Sequence, residues 1–418
     1  MGPSVWALRI LRFGAATFLV YPLRTVHAFA TNPMPPKAAA ARSLHAKPQR
    51  LAANVDGALY VNDQCINCAA CHNFAPQSFD RHQPTDRYHY VYEQPTTPTA
   101  LEQARAAMTA CPVAAIRLET KAERQHRSDD SSAVEEWRPE DQHVVDGVSG
   151  RTATTKPFPR RFLDSMDDVY WVGHHTEKSF GAVPYLLQTR KEGQWIMVDT
   201  PRFGKAAQAS IEQLTGRDGP DYLVLTHVDD TADHQRWAEH YPTMQRIFHA
   251  HDLGPNNWLG DTSLEDVEIL LGTDEDQVRD LAATASLTMY DLKGQRMDAA
   301  DVDQHEVILL HTPGHSPGSI TLWRRSSDDN DDDKPGILFT GDTYAWTTRN
   351  GGRMTGFGRY GNDLRLQSKV LGALSELQSD GWSVVAPGHG IPRDYRGLDP
   401  AVPSEELAVA QDDLLALR

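Results

Sequence analysis

Apolar residues in the second half of the chain fall into short runs, and several of these runs end at a turn carrying histidine or aspartate. Val307, Ile308, Leu309 and Leu310 lead into His311-Thr312-Pro313-Gly314-His315-Ser316-Pro317-Gly318, and Ile320, Thr321, Leu322 and Trp323 come after it. Runs this short, apolar at nearly every position and bounded by Gly and Pro, predict buried strands. Two prolines and two glycines in eight residues exclude regular structure between the runs. His315 is therefore predicted on a rigid loop at a strand end, where functional side chains are usually displayed. The same shape recurs three times. Tyr222, Leu223, Val224 and Leu225 precede a stretch with His227, Asp229, Asp230, Asp233 and His234; Ile337, Leu338 and Phe339 precede Asp342; Val384, Val385 and Ala386 precede His389.

Further strand-like runs lie at 169–172, 183–187 and 195–198, whereas 206–214 and 364–377 carry apolar residues at helical spacing. This mixture predicts an α+β domain over 161–400, with 401–418 as a C-terminal helix or tail. Residues 121–160 are rich in Glu, Asp, Arg, Ser and Thr and predict a linker or a surface strap. A second polar run contains Asp328, Asp329, Asp331, Asp332 and Asp333 and predicts an exposed loop between two strands.

Charge and cysteine content change the picture in the first third. The 418 residues carry a formal charge of −16, which argues against nucleic acid or an anionic membrane as the main partner. No Asp or Glu occurs before Asp56, while Arg9, Arg12, Arg24, Lys37, Arg42, Lys47 and Arg50 do. Arg9 and Arg12 precede an apolar stretch, 13–23, that is too short to span a bilayer, and Val26-His27-Ala28 then gives a small-residue cleavage signature. Residues 1–50 are therefore predicted to be a targeting presequence. The four cysteines, Cys65, Cys68, Cys71 and Cys111, all fall in one region, as expected for a metal or cluster site and not for a distributed disulfide framework.

Cys65, Cys68 and Cys71 are spaced C-x2-C-x2-C, and Cys111 is followed by Pro112. With Ala58-Leu59-Tyr60-Val61 before the motif and Pro112-Val113-Ala114-Ala115-Ile116 at the end, residues 56–120 resemble single-cluster bacterial-type ferredoxins. The resemblance implies one 4Fe-4S cluster on these four thiolates, the alternative being a four-cysteine zinc site. The four strand-and-turn motifs resemble the metallo-β-lactamase superfamily, which includes glyoxalase II-like thioester hydrolases and the flavodiiron proteins. That implies an αββα sandwich following the ferredoxin-like domain, with two divalent metal ions, zinc or iron, at one edge. Carried over residue by residue, one metal takes His227, Asp229 and His315. The other takes Asp233, His234 and His389, and Asp342 bridges them; Asp233 and Asp342 are the catalytic carboxylates. Asp199 matches a residue that supports the site from beneath.

The pattern departs from H-x-H-x-D-H in two ways. Asp229 stands where a histidine is usual, and the Asp-His pair arrives two residues late, so Asp230 competes for the role given to Asp229. The flavodiiron proteins also carry a carboxylate there. Three aspartates and a hydroxide balance the four charges of two divalent ions, which tilts the site towards harder metal. His174 and His175 are weighed as supporting or substrate groups, and His240, His249 and His251 as ordinary core or surface residues. The function expected is a metal-dependent hydrolase of thioesters or esters with a fused electron-transfer or redox-sensing domain. The alternative is a di-iron oxidoreductase fed electrons by the ferredoxin domain; a degraded, non-catalytic site is disfavoured by the retained ligands. A small-molecule substrate and a redox partner protein are expected, with no nucleic acid and no membrane for the mature chain. The presequence resembles the two-part plastid presequences of algae with secondary plastids, so plastid localisation is expected, with the mitochondrion or the secretory pathway as the alternative.

Overall fold

In the computed structural model, which describes residues 48–119, 137, 157–273, 287–326, 335–349, 352–377 and 381–417, the apolar runs pair into two seven-stranded sheets. The predicted presequence up to residue 47, the acidic run at 328–333 and the predicted linker save Trp137 and 157–160 lie outside the described residues. In the first sheet, Ile269–Leu271, Gln245–His249, Tyr222–Val224 and Trp195–Val198 run parallel. Tyr185–Gln188, Val169–Trp171 and Arg160–Arg161 extend it antiparallel. In the second, Val307–His311, Ile320–Arg324 and Ile337–Gly341 form an antiparallel meander, and Val384–Pro387 returns parallel to Ile337–Gly341.

These strands are largely apolar because both faces of each sheet are covered. Along the second sheet, Leu309, Leu322, Phe339 and Ala386 point one way into the core shared with the first sheet. Their neighbours Ile308, Leu310, Trp323, Leu338 and Val385 point the other way, as the two-residue period of a strand requires. That outer face is covered by the helices Leu364–Glu376 and Val402–Ala416, which supply Val370, Leu371, Leu374, Leu407 and Leu414. The first sheet's outer face, with Met197, Leu223 and Phe248, is covered by Lys205–Thr215 and His234–His240. The layers therefore run helix, sheet, sheet, helix, and the C-terminal helix is a structural layer of the sandwich. Among the described residues no helix is long and apolar enough to cross a membrane.

The cysteine segment is small: two two-stranded ribbons, Leu59–Val61 with Ile116–Leu118 and Phe79–Arg81 with His89–Val91, and the helices Ala70–Phe74 and Pro98–Ala110. Thr97 caps the longer helix, accepting from the Ala100 N–H at 3.1 Å, with Pro98 in the first turn. This segment has no core of its own. Its apolar residues and those between the sheets form one cluster, joined where Phe74 meets Phe158 and Trp171 edge-on at 5.1 and 5.2 Å between ring centres. The described residues all belong to one compact unit.

Candidate metal centre and cluster cradle

Strand Tyr222–Val224 ends two residues before Thr226, and the turn beyond Thr226 is fixed from beneath. Asp199, held at φ 55°, accepts the Thr226 N–H at 2.9 Å and the Thr226 hydroxyl at 3.0 Å. Having given its proton away, the hydroxyl oxygen accepts from His227 Nδ1, 3.0 Å distant. The buried His227 ring therefore carries its proton on Nδ1 and presents the Nε2 lone pair, which has no partner. A short 3₁₀ turn, Val228–Asp230, then brings two aspartates round. Asp229 Oδ2 lies 3.8 Å from His227 Nε2 and 3.6 Å from His315 Nε2, and its Oδ1 accepts the indole N–H of Trp258 at 2.6 Å.

His315 and Asp342 close this half of the site. Asp342 Oδ2 lies 3.6 Å from His315 Nε2 and 4.0 Å from His227 Nε2, and both ring nitrogens of His315 are buried without a hydrogen-bond partner. The other oxygen, Oδ1, accepts from His389 Nδ1 at 2.8 Å, so Asp342 faces both halves. In the second half, Asp230 Oδ2 is 3.8 Å from His389 Nδ1 and 3.8 Å from His227 Nδ1, and neither Asp230 oxygen has a hydrogen-bond partner. The donors form two groups compatible with single ions, His227 with His315 and Asp342, and Asp230 with Asp342 and His389.

The protonation preferences show what charge the site wants. Burial alone would keep His389 neutral, but Asp342 and Asp230 overcome it and push its pKa up to about 10. Burial drives Asp230 well above the usual carboxylate range, against the pull of His389 and with the push of Asp342. His227, desolvated more strongly than its carboxylate neighbours compensate, falls to about 4 and is neutral. Carboxylates crowded this closely hold a proton where no cation separates them. The neutral His227 lone pair, the partnerless buried oxygens of Asp230 and three carboxylates crowded together fit a pair of divalent ions.

Of the ligands expected from the sequence, the structure brings together His227, Asp229, His315, Asp342 and His389. It does not bring Asp233 and His234 to them, which corrects the expected second set. Asp233 adopts φ 61° at the start of helix His234–His240, where its carboxylate meets Lys178 Nζ at 3.1 Å and accepts the Phe203 N–H at 3.1 Å. His234 is buried among Arg246 Nη1 at 3.1 Å, Ser263 Oγ at 3.0 Å and Asp261 Oδ2 at 3.3 Å. The two extra residues carry this pair past the site and onto the helix, and Asp230 stands in the place expected for Asp233. The tandem Asp229-Asp230 was the available signal. Asp252 was not foreseen at all: it accepts from Val228 N–H, Ser316 Oγ and Gly318 N–H at 3.0, 2.7 and 2.6 Å, pinning the loops of His227 and His315 together. A third group, His249, His251 and His311, gathers nearby, but the His249 and His311 rings stack at 3.8 Å and 15°, so their in-plane lone pairs do not converge on one point.

The four cysteines are free thiols gathered round one cavity. Left-handed backbone at Asn67, φ 65°, and Ala69, φ 67°, turns the Cys65–Cys71 loop so its sulfurs face inward. Backbone N–H groups of Asn67 and His89 donate to Cys65 Sγ at 3.4 Å each, and that of Ala115 donates to Cys111 Sγ at 3.2 Å. Burial, added to by Cys111, pushes the Cys68 thiol up to about 12. Four converging sulfurs, of a buried Cys71 and half-buried Cys65, Cys68 and Cys111, met by N–H donors, suit an iron–sulfur cluster, which takes thiolates and is tuned by such bonds.

The cradle is tied directly to the metal loops. Asn73, on the helix carrying Cys71, donates from Nδ2 to Gly390 O at 2.9 Å, one residue beyond His389. Gly181 abuts Cys68 so closely that a Cβ there would lie 2.6 Å from Cys68 Cβ and 2.9 Å from its sulfur. Two residues on, Val183 N–H donates to Gly388 O at 2.8 Å. His175 Nδ1 donates to Gly181 O at 3.0 Å.

Comparison with known proteins bears on the cradle first. Residues 61–118 match the family model of the 4Fe-4S single cluster domain of Ferredoxin I. None of the curated proteins matches the chain. Among solved structures, the chain is similar to an archaeal metallo-β-lactamase superfamily protein from Sulfolobus tokodaii at 19% identity, over 54% of this chain and 78% of that one, with a TM-score of 0.31. It is similar to a quorum-quenching N-acyl homoserine lactone lactonase at 18% identity, over 50% and 79%, with a TM-score of 0.33. A metallo-β-lactamase from Hirschia baltica is similar at 16% identity, over 55% and 85%, with a TM-score of 0.34.

Proposed function

We propose that the protein is a metal-dependent hydrolase of ester or thioester bonds, built on a sandwich to which a 4Fe-4S segment is fused. The observation that carries this reading is the convergence of His227, Asp229, Asp230, His315, Asp342 and His389 from turns that follow strands of both sheets, with partnerless buried nitrogens and oxygens close to one another. These six residues would hold two divalent ions, and Cys65, Cys68, Cys71 and Cys111 the cluster. The chemistry such a pair would supply is Lewis acidity for a carbonyl and a source of nucleophile from water at neutral pH. The chain's own part is positioning. Asp199 and Thr226 fix the His227 tautomer, Trp258 occupies Asp229 Oδ1 so that Oδ2 alone faces the imidazoles, and Asp342 presents one oxygen to each half. The test is hydrolysis of a series of p-nitrophenyl esters and thioesters by anaerobically purified, metal-replete protein. Turnover lost in His315→Ala and on chelation supports the reading; turnover that survives both removes it.

A second reading, a di-iron oxidoreductase coupled to the cluster, is favoured by one specific observation: Asn73 of the cluster helix holds Gly390 beside His389. The donor set adds to it. With Asp230 in place of Asp233 and His234 absent, the site offers three imidazoles and three carboxylates, a harder set than expected from the sequence, and harder donors favour iron or manganese over zinc. Metal analysis of anaerobic protein, with spectroscopy of any iron beyond that of the cluster, separates the readings. Iron in the sandwich site that is reduced in step with the cluster supports the second; a zinc pair with hydrolytic turnover supports the first.

A further inference from the structure

The cradle holds one group that neither reading uses. Apart from the cysteines, its described lining is apolar, with Val61, Ile66, Ala70, Val113 and Ile116 around the sulfurs, except for His89. His89 is fully buried, and neither Nδ1 nor Nε2 has a hydrogen-bond partner. It begins the strand His89–Val91, where the two-residue period turns His89 and Val91 to the buried face and Tyr90 outward. Its backbone N–H already donates to Cys65 Sγ at 3.4 Å, which fixes the residue beside that sulfur.

An imidazole carries at least one N–H in either protonation state, and a buried N–H with no acceptor is costly. The ionisable groups that act on this ring include no carboxylate: they are Arg81 and Arg349, which can only donate, and His72. The His72 ring is occupied elsewhere, its Nδ1 donating to Phe79 O at 2.8 Å. The acceptors missing around His89 are the kind an iron–sulfur cluster brings, since its sulfurs accept hydrogen bonds. We propose that His89 donates a ring N–H to the cluster held by the four cysteines, and that it raises the cluster's reduction potential. Adding an electron makes the sulfurs more negative, so a donor stabilises the reduced form more than the oxidised one. In a cradle whose other side chains are apolar, no second side chain shares this role among the described residues.

The inference rests on the cluster assignment and is independent of whether the sandwich site hydrolyses or transfers electrons. It is tested on the full chain loaded with its cluster, by redox titration with dithionite followed by EPR of the reduced state. His89→Phe keeps the buried volume apolar and removes the donor, whereas His89→Gln keeps an amide donor. At the wild-type midpoint, the ratio of oxidised to reduced cluster should rise about tenfold in His89→Phe, a fall of about 59 mV for a one-electron couple. His89→Gln should recover most of it. An unchanged midpoint in a fully loaded His89→Phe overturns the proposal, as does an equal fall in both variants, which would trace to packing alone. Should His89→Phe fail to load, wild-type protein made with histidine labelled with ¹⁵N only in the ring decides by pulsed EPR. A ring ¹⁵N coupling to the reduced cluster supports the donor, and its absence overturns it.

Discussion

Asp230→Asn separates the ligand set seen in the structure from the one the sequence pattern suggested. Asp230 is fully buried, with Oδ2 3.8 Å from both His227 Nδ1 and His389 Nδ1 and grouped with Asp342 as one ion-sized donor set. Two unit charges about 4 Å apart at an effective dielectric of about 20 interact by about 4 kcal/mol, and about 1.4 kcal/mol is a decade in affinity. Removing this carboxylate charge thus corresponds to nearly three decades for each unit of charge on the ion, and twice that for a divalent one. The amide oxygen can still coordinate and recovers part of that. The expected loss is at least about 100-fold in affinity for one of two ions, with the other less affected. Chelator competition with Zn²⁺ and with Mn²⁺, read as equivalents bound against free metal, measures it. Asp233→Asn is the control, because Asp233 faces Lys178, Arg236 and the Phe203 N–H and not the imidazoles. If Asp233→Asn loses an ion and Asp230→Asn keeps both, the turn Val228–Asp230 has been placed wrongly, and the six-residue ligand set fails with it.

The same geometry sets three further outcomes. Gly181→Ala puts a Cβ 2.6 Å from Cys68 Cβ on backbone at φ +90°; left-handed strain of about 1–2 kcal/mol and overpacking of about 1–3 kcal/mol should sum to a loss visible in urea unfolding, with reduced iron content, and an unaltered unfolding midpoint would refute it. Cys68→Ser should bleach the cluster and also lower the unfolding midpoint of the sandwich, because Phe74 packs on Phe158 and Trp171 in one core; a sandwich of unchanged stability, by near-UV circular dichroism, would show two independent cores. In metal-free protein His389, with a pKa near 10, holds a proton at neutral pH that a metal ion must displace, so metal uptake should release protons in unbuffered solution and affinity should rise with pH; uptake without proton release would contradict this.

Much of this was legible in the sequence because the signals were local. The strand-then-turn units placed His227, His315, Asp342 and His389 at the ends of buried strands, since a strand covered on both faces is largely apolar and gives way to a polar turn where it leaves the core. Helices expected at 206–214 and 364–377 appear as Lys205–Thr215 and Leu364–Glu376. Spacing failed where backbone conformation decided. A 3₁₀ turn and the left-handed Asp233 determine which of Asp229, Asp230, Asp233 and His234 reach the site, and no periodicity reports that. Asp252 was illegible for another reason: its partners Val228, Ser316 and Gly318 are far away in the chain, and a lone Asp after a strand resembles any surface aspartate. The single core escaped the sequence too, because Phe74 in a cysteine segment gives no sign that it packs on Trp171.

That shared construction leads to a last prediction: the cluster and the metal pair bind cooperatively. Asn73 lies two residues from Cys71 and holds Gly390 O, Gly181 touches Cys68, and Val183 holds Gly388 O, so the His389 loop is gripped on both sides by elements that also shape the cradle. A cluster in the cradle fixes the helix Ala70–Phe74, and with it the hydrogen bond to the loop. Ordering that loop in advance removes part of the cost of assembling His389 with Asp342 and Asp230 around an ion. Such coupling is reciprocal: whatever factor the cluster adds to metal affinity, the metals must add to cluster affinity. Couplings of this kind are typically about 1–3 kcal/mol, or about 5- to 150-fold. Metal affinity of cluster-free protein should therefore be weaker than that of cluster-loaded protein, and chelating the metal pair should weaken retention of the cluster by the same factor under an iron chelator. Asn73→Ala should reduce both effects together while leaving Cys65, Cys68, Cys71 and Cys111 in place. Equal metal affinity with and without the cluster, in protein that is folded in both states, would mean that the two sites share a core and a hydrogen bond but no free energy.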